Sequence, residues 1–164
     1  MVELASWLTA LPVLLAAAAI TWGISVMQRN VTIVDTLWPV LFIFAAVTYA
    51  AAGPAGPRAW LLVALVGLWG ARLAIYLAWR NFGHDEDRRY QAIRRRNEPN
   101  FALKSLYLIF GFQAVLAWVI SLPLAGAAAG TPPLGWLDAA GVAAWVVGIV
   151  FEAGGDWQLA RFKR

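Results

Sequence analysis

The chain has 164 residues, of which 62% are hydrophobic and only 13% charged. That balance excludes an ordinary soluble domain, where about a quarter of residues carry charge. Cysteine is absent, which excludes disulfides, thiol chemistry and cysteine metal sites, and the single histidine, His84, excludes a histidine-rich metal centre built from this chain alone.

The apolar runs follow one another at the length of spanning helices, about 20 residues each. The first, Leu4–Met27, has Glu3 where a signal peptide would be basic. It is also too long for a signal core, so it is read as a retained helix. A link at Gln28–Val31 carries Arg29, and the second run, Val31–Ala52, holds Asp35, Trp38 and Pro39. Proline removes a backbone donor and bends a helix, which opens polar backbone near Asp35. The turn Gly53-Pro54-Ala55-Gly56-Pro57 stops propagation.

The third run is Ala59–Trp79, with Trp69, Arg72 and Tyr76 on one stripe at i−3, i and i+4. A polar segment of 20 residues, Asn81–Asn100, follows. A connection of that length inside a small bundle tends to be functional or disordered. Its Gln91–Arg96 portion reads as a basic amphipathic turn at the headgroup surface. Phe101–Leu124 is the fourth run and Leu134–Phe151 the fifth, with Thr131-Pro132-Pro133 expected to open the last helix. Lipid cannot satisfy free backbone groups, and no alternating strands occur, so the runs are helices. The fold class is an all-α polytopic bundle of five transmembrane helices, one domain over 1–164 with no internal repeat.

The cations give an orientation. Arg29, Arg80, Arg88, Arg89, Arg94, Arg95, Arg96, Lys104, Arg161, Lys163 and Arg164 fall on one side, and Arg58 alone on the other. By the positive-inside rule the amino terminus is outside and both the long loop and the carboxyl terminus are cytoplasmic. This placement accounts for the net charge of +4 without nucleic acid.

Four ionisable residues then fall inside the spans: Asp35, Arg72, Glu152 and Asp156. A charge at the bilayer centre costs roughly 2.5–3.5 kcal/mol on insertion scales, so such groups pair or hold something polar. At the α-helical rise, Asp35 lies about 6 Å inside, Arg72 about 10 Å, Asp156 about 8 Å and Glu152 about 13 Å, all in the cytoplasmic leaflet. Glu152 and Asp156 share a helix face at i and i+4, and Lys163 continues the stripe. Arg72 is therefore expected within reach of one of them. A purely structural ion-pair cluster is the bland alternative. Of the ten tryptophans, Trp7, Trp22, Trp60, Trp79 and Trp136 stand near helix ends, as interface belts require. Trp69, Trp145 and Trp157 suit pocket lining or plain packing equally.

Four segments carry a family resemblance: Val34-Asp35-Thr36-Leu37-Trp38-Pro39, Leu68-Trp69-Gly70-Ala71-Arg72-Leu73, Glu86-Asp87-Arg88-Arg89-Tyr90-Gln91, and Phe151-Glu152-Ala153-Gly154-Gly155-Asp156-Trp157-Gln158-Leu159. Together they resemble the bacterial membrane family of steroid 5-alpha-reductase-like proteins, long catalogued as a domain of unknown function. The resemblance implies a bundle in the inner membrane that binds NADPH from the cytoplasmic side. It would reduce a carbon–carbon double bond conjugated to a carbonyl in a lipophilic substrate. It places Asp35, Trp69 and Arg72 at the catalytic centre, Trp69 standing where relatives use a tyrosine three residues before the arginine. Arg72, Arg80, Glu86, Asp87, Arg89, Tyr90, Glu152, Asp156 and Lys163 are the implied cofactor contacts. Relatives continue into two further helices, so the expectation is an N-terminal part of a longer domain, inactive without the rest. Two rivals stand beside this reading: an isoprenylcysteine-methyltransferase-like enzyme using S-adenosylmethionine, and a non-catalytic lipid-binding or assembly protein.

Overall fold

The computed structural model describes residues 4–162; Glu3, Lys163 and Arg164 lie outside them. The elements are α1 (Leu4–Gln28), α2 (Ile33–Ala52), α3 (Pro57–Asn81), α4 (Arg88–Asn97), α5 (Phe101–Ile120), α6 (Leu122–Ala128) and α7 (Trp136–Phe162). Five of them, α1, α2, α3, α5 and α7, are long and apolar enough to cross a membrane, and no strand occurs among the described residues.

α2 is the centre. Half of its apolar stretch is buried, against 6% for α3 and none for α7. Its Val34, Leu41, Ala45 and Tyr49 form the core with Leu14 of α1 and Phe110 and Ala114 of α5. α1 and α3 flank it, α5 closes against α1, and α7 lies outermost on α3. Gly70 lets α3 approach α2 closely. A Cβ there would stand 2.8 Å from the Ile43 side chain and 3.0 Å from the Pro39 carbonyl.

Two boundaries and one internal turn differ from the sequence reading. The fourth span ends at Ile120, short of Leu124, because Pro123 starts a new short helix after Ser121. Ser121 is fully buried, and its hydroxyl shares a 2.7 Å hydrogen bond with that of Tyr49. Within α5, Leu106–Gly111 is a π-helical turn, for which the apolar pattern carries no signature. The last helix begins at Trp136, after the prolines. There Asp138 accepts from the Gly135 amide at 2.8 Å and from Arg58 at 2.7 and 2.9 Å. Arg58 is thus a partner of an acid on α7.

The long polar segment is ordered and holds α4, a helix capped by Asp87, which accepts from the Arg89 amide at 2.8 Å. α4 is buckled to the α1–α2 link. The Val31 amide donates to Glu86 at 3.0 Å, the Asp87 amide donates to Thr32 Oγ1 at 2.9 Å, and Arg94 grips Glu86 at 2.8 and 2.9 Å. The tryptophan belt is also revised in part. Trp7 and Trp118 stack at 3.8 Å and exchange indole-to-carbonyl hydrogen bonds, and Trp22 donates to the Ala102 carbonyl at 2.8 Å. Trp60, Trp79 and Trp136 are exposed, as an interface would have them.

Candidate functional site

The four intramembrane charges separate into two clusters, and Arg72 pairs with the acids of the last helix as expected. In the first, Arg72 on α3 forms ion pairs with Glu152 and with Asp156, the latter at 2.8 Å. Trp69 donates its indole N–H to Glu152 at 2.8 Å, and Tyr76 donates to the Asp156 carbonyl at 3.3 Å. The i, i+4 spacing on α7 puts both acids on one face, and the stripe on α3 meets it. Trp69 and Glu152, with Trp145 and Ile149, border a cavity of about 310 Å³.

This cluster has a mechanical role that follows from α7 itself. No residue of α7 is buried. An outermost helix without a buried face gains little from packing, so hydrogen bonds and ion pairs carry its attachment. Arg58–Asp138 fastens one end, and the Arg72 cluster fastens the other.

The second cluster surrounds Asp35, in the first turn of α2. Tyr90 of α4 donates its phenol to Asp35 at 2.5 Å, and Arg89 bonds the other carboxylate oxygen at 3.1 Å. Pro39, one turn on, has no N–H, so the Asp35 carbonyl lacks its helical donor. Burial first, and then the Asp35 carboxylate, push the Tyr90 phenol well above its usual range, so the proton stays on Tyr90. The hydrogen bond to Asp87 raises Arg89 further above its ordinary value.

Beside Asp35 opens a cavity of about 440 Å³ lined by Trp38, Leu77, Arg80, Arg89, Phe112, Gln113 and Leu116. One apolar wall is continuous with the other cluster: Trp38, Phe42 and Trp69 stack edge to face at 5.2 and 5.8 Å. Arg80 also lines a neighbouring cavity of about 430 Å³ with Tyr76, Trp79, Phe82, His84, Leu159 and Ala160. Its guanidinium donates to Asn81 and lies near the Tyr76 ring, and it has no carboxylate within ion-pair distance among the described residues.

The other expected contacts have local duties. Burial pulls the Glu86 carboxyl up, but bonds from Arg94 and the Val31 amide outweigh it and hold the group below its usual range. Asp87 is likewise held low, by the Arg89 side chain first and then its amide. Both carboxylates fix α4, and Lys163 lies outside the described residues. Two participants were not anticipated: Tyr90 as the partner of Asp35, where Trp69 serves Glu152 instead, and Gln113 in the cavity wall. A lone amide within the apolar run Phe101–Leu124 was the available signal for Gln113.

A family model described as a protein of unknown function (DUF1295) matches residues 21–164. No curated protein and no solved structure matches the chain.

Proposed function

The chain belongs to the DUF1295 family, and we propose that it is a membrane oxidoreductase that reduces a carbon–carbon double bond conjugated to a carbonyl in a lipophilic substrate, with NADPH as reductant. One observation carries the reading: a carboxylate, Asp35, fixed by a phenol and a guanidinium, borders a membrane-level cavity whose wall is otherwise largely apolar. Ligand sites of this kind combine apolar walls with a few convergent polar groups. The resemblance over Asp35, Arg72, the Glu86–Tyr90 segment and the Glu152–Asp156 ending supports the same reaction class.

The residues fit a dinucleotide at the neighbouring mouth. Arg80, without a carboxylate of its own, suits phosphate, and Tyr76, Trp79 and Phe82 offer flat faces. Asp156 does not line that cavity but stands one turn before Ala160, which does, and, bonded to Arg72 through Oδ2, keeps Oδ1 for ribose or carboxamide. Lys163, which lies outside the described residues, is the phosphate partner that the family resemblance implies. NADPH supplies a hydride when bound. Reduction at the β-carbon places negative charge on the substrate's carbonyl oxygen, and Arg89 in the cavity wall stabilises it. Asp35, protonated from water at the mouth when substrate is bound, passes that proton to the oxygen, and the enol then ketonises through water so that its proton ends on the α-carbon, while Tyr90, itself buried, fixes the Asp35 rotamer. The cation asymmetry supports a cytoplasmic mouth, with the amino terminus outside, in the bacterial inner membrane.

The test uses protein expressed from its complete reading frame and reconstituted in lipid nanodiscs. Loss of nicotinamide absorbance that requires a conjugated enone supports the proposal. Stabilisation by S-adenosylmethionine and not NADPH, or by neither, rejects it.

A further inference from the structure

Gln113 presents an unmet demand inside the Asp35 cavity. Its Oε1 is buried and has no hydrogen-bond partner, although Gln113 lines open volume. An amide oxygen removed from water without a donor is costly. The backbone has been adjusted to put it there. The π-helical turn Leu106–Gly111 ends two residues before Gln113. One extra residue in a turn rotates everything that follows by about 100° relative to a regular α-helix, and such turns collect at functional sites. Phe112 and Gln113, the first residues after the turn, both enter the cavity wall.

Position along the bundle separates Gln113 from the charged groups. Asp35 is in the first turn of α2 and Arg80 in the last turn of α3, at the end where α4 sits. α5 starts from that same end, and Gln113 is roughly 18 Å of helical rise along it. The cavity therefore has a charged mouth and one polar group toward its inner end, joined by Trp38, Leu77, Phe112 and Leu116.

We infer that the cavity takes a lipophilic molecule polar at both ends, with a hydroxyl at its inner end bound by Gln113. A turn of the terminal amide of Gln113 brings Oε1 from its buried position to the open volume, and a hydroxyl suits it because it donates to Oε1 and accepts from Nε2. The inference rests on the proposed substrate cavity and adds the second polar group of its ligand, so its test is binding alone.

Testosterone, a conjugated ketone with a hydroxyl at the far end of its skeleton, is compared with the same steroid lacking that hydroxyl. Each is titrated into nanodisc-embedded protein and followed by tryptophan fluorescence, to which Trp38 in the wall contributes. The parent should bind the hydroxylated probe about tenfold more tightly, the scale of one satisfied buried hydrogen bond. Gln113→Leu should abolish that preference and leave the deoxy probe within about twofold. Gln113→Met, close in shape but without an acceptor oxygen, should give the same pattern and serves if the leucine variant does not fold. Selectivity that vanishes in both variants supports the inference even if no enone is ever turned over. Equal binding of both probes by the parent, no binding of either, or selectivity that survives Gln113→Met overturns it, and enone turnover would then stand without it.

Discussion

The two charged clusters lie toward one end of the same bundle, yet they use their charges differently. Around Arg72 the polar groups of α3 are directed at α7, and the bonds hold an outer helix that has no buried residue. Around Asp35 one carboxylate is fixed by Tyr90 and Arg89, and beside it stand Arg80 and Gln113 facing open volume. Intramembrane charge marks a place where something polar must be satisfied. Whether that something is another helix or a ligand is decided by where the hydrogen bonds end.

The largest expected effect is mechanical. Arg72→Met leaves Glu152 and Asp156 facing each other without a cation, and should destabilise the docked α7 by about 3 kcal/mol. Denaturant titration in nanodiscs measures it. Adding Glu152→Gln and Asp156→Asn should recover most of the loss, since the penalty comes from unpaired charge. A single variant as stable as the parent would remove the mechanical half of the comparison.

Asp35→Asn should do the reverse, lowering enone turnover about 100-fold, the usual scale for a positioned proton-handling group. NADPH affinity should stay within about twofold, because Asp35 is assigned to the substrate side. Loss of NADPH binding with turnover per bound cofactor intact would assign it to the other side. Tyr90→Phe is milder. The carboxylate stays in place but loses its 2.5 Å partner, so turnover should fall about tenfold.

The smallest effect is in pH. Glu86 and Asp87 are held below their ordinary values of 4.5 and 3.8. A depressed carboxylate adds stability that is fully present above its unfolded pKa and lost as pH falls through the folded one. The attachment of α4 should therefore hold at neutral pH and weaken only in acid, read as hydrogen exchange over residues 88–97. Glu86→Gln should flatten that acid limb. Loosening between neutral and mildly alkaline pH would contradict the assignment. Tyr90, pushed up, works in the opposite direction: its contribution is lost as pH rises past 10.

The spans were legible because lipid demands long apolar runs, and the pairing of Arg72 was legible because two acids at i and i+4 near one buried cation leave few other solutions. Asp35 was visible as a charge but its partners were not. Tyr90 is 55 residues away and reaches it only because Glu86, Asp87 and Arg94 buckle α4 to the α1–α2 link. Depth alone had grouped Asp35 with Arg72, since rise along a helix says nothing of which neighbour a side chain faces. The π-helical turn has no hydropathy signature, so the direction of Gln113 could not be read. The start of α7 was misread at the prolines because the Asp138 bond to the Gly135 amide outcompeted them as the first-turn signal.

The most direct test is a photolabel. A conjugated enone steroid carrying a diazirine, irradiated with the nanodisc-embedded protein and mapped by mass spectrometry, reports which cavity holds substrate without requiring turnover. Adducts are expected on Trp38, Phe112, Gln113 and Leu116, displaced by unlabelled enone. Displaceable adducts on Val66, Trp145 and Ile149, the walls beside Glu152, with none around Asp35, would contradict that expectation and make the Arg72 cluster the substrate site.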